Sequence, residues 1–143
     1  MRAMPAGPPE DFFDPQRPRV LIVDDILDQL DLYAMVLEPH AEVLKASRGE
    51  AAYSMACAES PDVIILDLLL PDVDGFDVWR RLRANPETAT IPIIFLTGDE
   101  ESLFKAMASP ELTNVFAILK KPAGGDQLLK TVRAAVKASS RQP

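Results

Sequence analysis

The chain has one cysteine, one histidine and one tryptophan among its 143 residues. With Cys57 alone no internal disulfide can form, and nothing points to an oxidising compartment. No apolar run approaches the ~18 residues of a membrane span. The opening MRAMPAGPPEDFFDPQRP lacks the apolar core of a signal peptide. A cytoplasmic chain with no membrane partner is therefore expected. Basic residues are also scarce: 15 against 22 acidic, a formal charge of −7. That balance disfavours direct contact with nucleic acid, whose phosphates require a positive surface.

Apolar residues are plentiful, at 48% of the chain, enough for the core of one domain. They fall into an alternating pattern. RVLIVDD (Arg19 to Asp25), EVLKA (Glu42 to Ala46), DVIILDL (Asp62 to Leu68), IPIIFLT (Ile91 to Thr97) and VFAILK (Val115 to Lys120) read as short, mostly buried strands. Between and after them lie amphipathic stretches. Leu30, Tyr33, Ala34 and Leu37 keep helical spacing and stop at Pro39. Ser47 and Glu50 form a capping box for a helix reaching about Ala58. Helices are predicted also over 75–84, 100–108 and 126–139. Met35, Met55 and Trp79 are expected in the core, Cys57 as a small buried hydrophobe, and Arg80 to Arg83 as a solvated helix face.

Strand and helix alternating five times require right-handed crossovers and a parallel sheet covered on both faces. Placing the short, charged second strand at an edge gives the doubly wound, flavodoxin-like order 2-1-3-4-5. In that fold ligands bind at the carboxyl ends of the strands, between strands 1 and 3. Residues 1–18 are expected as a flexible tail, 19–139 as the domain, and 140–143 as a short C-terminal tail.

This topology brings particular chemistry to one rim. Strand 1 ends in Asp24 and Asp25, strand 3 in Asp67, strand 4 in Thr97, and strand 5 runs into Lys120, Lys121 and Pro122. An isolated carboxylate in apolar surroundings is costly, and three together repel, so a divalent cation is the expected neutraliser. Few ligands, all of them oxygen, favour Mg²⁺, which keeps waters and shares its sphere with a phosphate. An ionised carboxylate can attack phosphorus without a general base.

VLIVDD, DVIILDLLLPDVDG, IPIIFLTG and LKKPAGGDQLL, in this order and at these separations, resemble a response-regulator receiver domain of two-component signalling, over about Arg19 to Ser139. The resemblance implies a phosphoacceptor module rather than an enzyme. Asp67 would be the acceptor and Asp25 a direct Mg²⁺ ligand. Asp24 would hold the ion through water, and the backbone carbonyl of Leu69 would complete the set. Thr97 would bond a phosphoryl oxygen, and Lys121, directly before Pro122, would pair with the phosphoryl group. The donor would be a histidine kinase or a histidine phosphotransfer protein. His40, in a loop after Pro39, is not placed to be the donor. An output protein or domain is implied, and a homodimer is allowed. No DNA-binding, cyclase or kinase module follows Ser139, so the expectation is a stand-alone receiver or a piece of a longer regulator or hybrid kinase.

Two positions depart from the family pattern. Ile118 stands where an aromatic is usual, three residues before the paired lysine, and Gly98 stands where alanine is usual. Both alter the switch that would follow Thr97. The stretch between Thr97 and Lys121 is also longer by a residue or two and holds Pro110. A flavodoxin-like carrier of FMN or another small ligand is the alternative on the same fold, but its phosphate loop should be rich in Ser, Thr and Gly. The loop here is DDILDQ. DVDG fails as a calcium loop, because registering it on Gly75 puts Leu70 and Arg81 at the first and last ligand positions. DLLLP lacks the second aspartate of a haloacid-dehalogenase phosphatase.

Overall fold

A computed structural model of the chain describes residues 17–140. Five strands, β1 (Arg19–Val23), β2 (Glu42–Ala46), β3 (Val63–Leu66), β4 (Ile93–Thr97) and β5 (Ala117–Lys120), alternate with five helices. These are α1 (Leu27–Leu37), α2 (Gly49–Glu59), α3 (Gly75–Ala84), α4 (Glu100–Ala108) and α5 (Gly125–Ser140). A short 3-10 segment, Pro110–Asn114, lies between α4 and β5. The sheet is wholly parallel, in the order β2-β1-β3-β4-β5, as the alternation predicts. Among the described residues no helix is long and apolar enough to cross a membrane.

Every central strand must be apolar on both faces, because helices cover both sides. Successive residues alternate between two cores. Leu21, Val23, Ile64, Leu66, Ile93 and Phe95 pack with α2, α3 and α4. Val20, Ile22, Val63, Ile65, Ile94 and Leu96 pack with α1 and α5. On α1 the inward stripe is Leu30, Tyr33, Ala34 and Leu37, as read from the sequence.

Several expectations are corrected. Ser47 does not cap α2. The helix begins after Arg48 without a side-chain cap of its own, and its first N–H groups, on Gly49 and Glu50, donate to the carboxylate of Asp72 from the loop after β3. A cap from a distant loop is invisible to a local motif. Met35 is 65% exposed, because its place on α1 faces away from the sheet. Trp79 is buried, whereas Met55 and Cys57 are only partly so. Arg83 is not on a solvated face: it turns back to donate to the carbonyls of Ala89 and Ile91. β1 and β3 stop short of their predicted rim ends, where the chain turns away from pairing, whereas β4 and β5 reach theirs and begin two residues later than their apolar runs suggest.

The last two residues of the expected tail, Arg17 and Pro18, bond to the domain. The guanidinium of Arg17 donates to the carbonyls of Glu38 and Ala41 at the end of α1, and Pro18 accepts from the Glu42 N–H. The rest of the expected flexible stretch, residues 1–16, and residues 141–143 lie outside the described residues.

Candidate functional site

The site forms where β1 and β3 lie side by side and send their chains to helices on opposite faces. Asp24 follows β1 directly. Its N–H donates to the Ala46 carbonyl, and its side chain accepts from the Ile26 N–H at 2.9 Å, which closes the turn into α1. The Asp67 N–H donates to the Val23 carbonyl, extending the β1–β3 ladder by one step. One Asp67 oxygen accepts from the Leu69 N–H at 3.1 Å. Asp24 and Asp67 are 2% and 5% exposed, whereas Asp25 is exposed.

Gly75 explains the end of the DVDG stretch. A Cβ there would come within 2.6–2.8 Å of the Asp67 and Leu68 backbone, so only glycine lets α3 start this close to the acidic turn. Asp74 caps the helix by accepting from the Phe76 N–H. The turn after Asp67 is thus braced on one side by α3 and, through Asp72, on the other by α2.

β4 and β5 complete the rim. Thr97 is fully buried, and its hydroxyl accepts from the Asp99 N–H at 3.3 Å. The Lys121 N–H donates to the Thr97 carbonyl, continuing the β4–β5 pairing past Lys120. Neighbouring side chains on a strand point to opposite faces. Lys120 turns out to Glu100, while Lys121 turns in. Its ammonium donates to Asp24 at 2.6 Å, Asp67 at 2.8 Å and Gln29 at 2.9 Å. Leu69, Thr97, Gly98 and Lys121 line an open cavity of about 700 Å³ together with Asp25 and Asp67. Ile118 does not line it. It pairs with Phe95 in the sheet and packs into the core on the α3 side.

Electrostatics follow from the crowding. Asp24, Asp25 and Asp67 each offer an oxygen within 4.8 Å of the other two. Burial raises the pKa of Asp24 and the Asp67 charge adds to this, against the lowering effect of Lys121 and the Ile26 N–H. Burial also disfavours the Lys121 ammonium, but its bonds to Asp24 and Asp67 outweigh that and hold its pKa up. The two shifts differ in origin: burial drives that of Asp24, and the two neighbouring carboxylates drive that of Lys121. When the three carboxylates and the one ammonium are all ionised, two negative charges remain uncompensated. The donors are all oxygen and the deficit matches a divalent ion, so these residues fit a hard cation such as Mg²⁺.

Four contributors went unread in the sequence: Gln29, Tyr33, Asp72 and Gly75. Gln29 lies four residues after Asp25, on the α1 turn that faces the rim, and that spacing was a usable signal. The contact between Asp72 and the start of α2 had no local signal.

Comparison with known proteins bears on this arrangement. Residues 20–133 match the family model for the response regulator receiver domain. Protein PilH of Pseudomonas aeruginosa is 34% identical over 117 residues, 81% of this chain and 95% of that protein. The DNA-binding dual master transcriptional regulator RpaA of Synechocystis is 37% identical over 132 residues; the match takes in 88% of this chain but only 52% of RpaA. Among solved structures, the signal receiver domain of a signal transduction histidine kinase from Syntrophus aciditrophicus superposes with a TM-score of 0.76 at 26% identity, covering 88% of this chain and 95% of that one.

Proposed function

The chain belongs to the response-regulator receiver family, and from that premise we propose that Asp67 is the residue on which its phosphoacceptor role rests. The observation that carries this reading is the Lys121 ammonium bonded to both Asp24 and Asp67 at the mouth of an open cavity. It is a buried cation beside a carboxylate that a phosphodonor can reach.

The donor is a phosphohistidine of a histidine kinase or histidine phosphotransfer protein. An Asp67 carboxylate oxygen attacks phosphorus. An O–P bond forms, the N–P bond breaks, and its electron pair stays on the imidazole nitrogen, which takes up a proton. A carboxylate nucleophile needs no general base, so the chain supplies position and charge. Asp24, Asp25, Asp67 and the Leu69 carbonyl would hold Mg²⁺, which when bound neutralises charge on the phosphoryl oxygens. Lys121 moves its contact from the Asp67 carboxylate to the phosphoryl group. The Thr97 hydroxyl turns from the Asp99 N–H to donate to a phosphoryl oxygen, a charge-assisted bond of roughly 1.5–3 kcal/mol. The output partner reads the resulting change in shape.

Incubation with acetyl phosphate and Mg²⁺ tests this by intact mass. The wild type should gain one phosphoryl group, and the gain should vanish in EDTA and in Asp67→Asn. An adduct that survives either change would contradict the assignment.

A further inference from the structure

We propose that Gln29 is a positioning residue that holds the Lys121 ammonium in the seat from which it meets the phosphoryl group. This deepens the reading of Asp67 as phosphoacceptor and rests on it.

An ammonium has three protons and only donates. Lys121 spends them on Asp24, Asp67 and Gln29, so the Gln29 amide must present its oxygen. The first two acceptors are not reserved for Lys121: Asp24 and Asp67 also belong to the carboxylate group that fits a divalent cation. Once a cation and a phosphoryl group occupy the site, those oxygens are contested. The Gln29 oxygen is neutral and sits outside the carboxylate trio, so it stays with Lys121 throughout.

Two further observations make this anchor matter. A Cβ at position 98 would lie 3.4 Å from the Lys121 Cβ and 3.7 Å from its Cδ, an ordinary packing contact that glycine leaves unmade. That flank of the lysine stem is therefore open, and its place depends on what the ammonium grips. On the opposite side, α1 holds the same loop twice. Gln29 grips residue 121, and Tyr33, one turn on, accepts from the N–H of Ala123.

The test uses Gln29→Met, which keeps the length without the amide, and Gln29→Glu, which keeps an oxygen acceptor. In metal-free protein, proton exchange of the Lys121 ammonium is followed by ¹⁵N NMR, the signal being assigned by its loss in Lys121→Met. Exchange should be slow in the wild type and in Gln29→Glu, and several-fold faster in Gln29→Met. With acetyl phosphate and Mg²⁺, Gln29→Met should lower the saturating phosphorylation rate about 2- to 10-fold, the worth of one hydrogen bond. The half-saturating donor concentration should move less than twofold. Unchanged exchange, or faster exchange with an unchanged saturating rate, would overturn the role of Gln29. Exchange in Gln29→Glu as fast as in Gln29→Met would also overturn it. A wild type that takes no phosphoryl group would overturn the reading of Asp67 instead, and the exchange measurement would still judge Gln29.

Discussion

The Asp72 carboxylate lies 2.8 Å from the Gly49 nitrogen and 3.0 Å from the Glu50 nitrogen. It caps a helix to which it does not belong. The two N–H groups, Glu50 first, hold the Asp72 carboxyl below its ordinary 3.8. A lowered carboxylate pKa contributes stability that is complete above the unfolded value and is lost as pH falls through the lower folded one. Asp72→Ala should therefore cost about 0.5–2 kcal/mol at neutral pH, the range for a lost N-cap, read as a lower urea midpoint. It should also flatten the loss of stability below about pH 3.8. Equal acid sensitivity in variant and wild type would mean that another carboxylate governs that limb. At this scale the sequence was most legible where a residue's place follows from a strand end. Asp24, Asp25, Asp67 and Thr97 come to one rim because parallel strands all end there. Asp72 and Tyr33 act across loops onto other elements, and no spacing within the chain encodes such pairings.

α4 is the most lightly held of the helices. Only Ala106 on it is buried, while Phe104 and Met107 are 69% and 71% exposed. Its start is fixed by Asp99, which accepts from the N–H and hydroxyl of Ser102. Lys105 over the Phe76 ring and the Glu100–Lys120 pair add exposed, weak ties. Little buried apolar area means low local stability. Thr97 opens directly into this helix, and Ile118, packed in the core, has no ring to swing after it. The 98–114 segment is thus the element through which a charge at Asp67 should act. Hydrogen exchange with and without beryllofluoride should show changed protection across 98–114. Silence there, with changes confined to residues beside Asp67, would move the response to the α1 face. Helix limits were legible wherever a stop or cap is local: α3 and α4 span the predicted residues, with Asp74 and Asp99 at their starts. Strand limits were legible at β2 and at the carboxyl ends of β4 and β5, and were missed where an apolar run extends beyond the paired residues, past the end of β1 and β3 and before the start of β4 and β5.

Across the whole molecule, the order of the strands decides where chemistry can occur. The chain turns from β1 to one face and from β3 to the other, and the cleft between them collects two buried acids, Asp24 and Asp67, and one exposed one, Asp25. A doubly wound sheet was readable from five alternations of short apolar runs and amphipathic helices. The site was readable because its acids interrupt those runs. The lysine seat required the register of β5, which fixes Lys121 inward and Lys120 outward and which composition alone leaves open. The net charge of −7 sets this local need for a cation within an acidic molecule, where a single buried ammonium balances one carboxylate of three. The central claim, that Asp67 carries the phosphoryl group, is tested most directly by trapping the acyl phosphate. Borohydride reduction of the phosphorylated chain, followed by peptide sequencing, should find homoserine at position 67 and aspartate at 24 and 25. Homoserine at 24 or 25, with aspartate intact at 67, would contradict it.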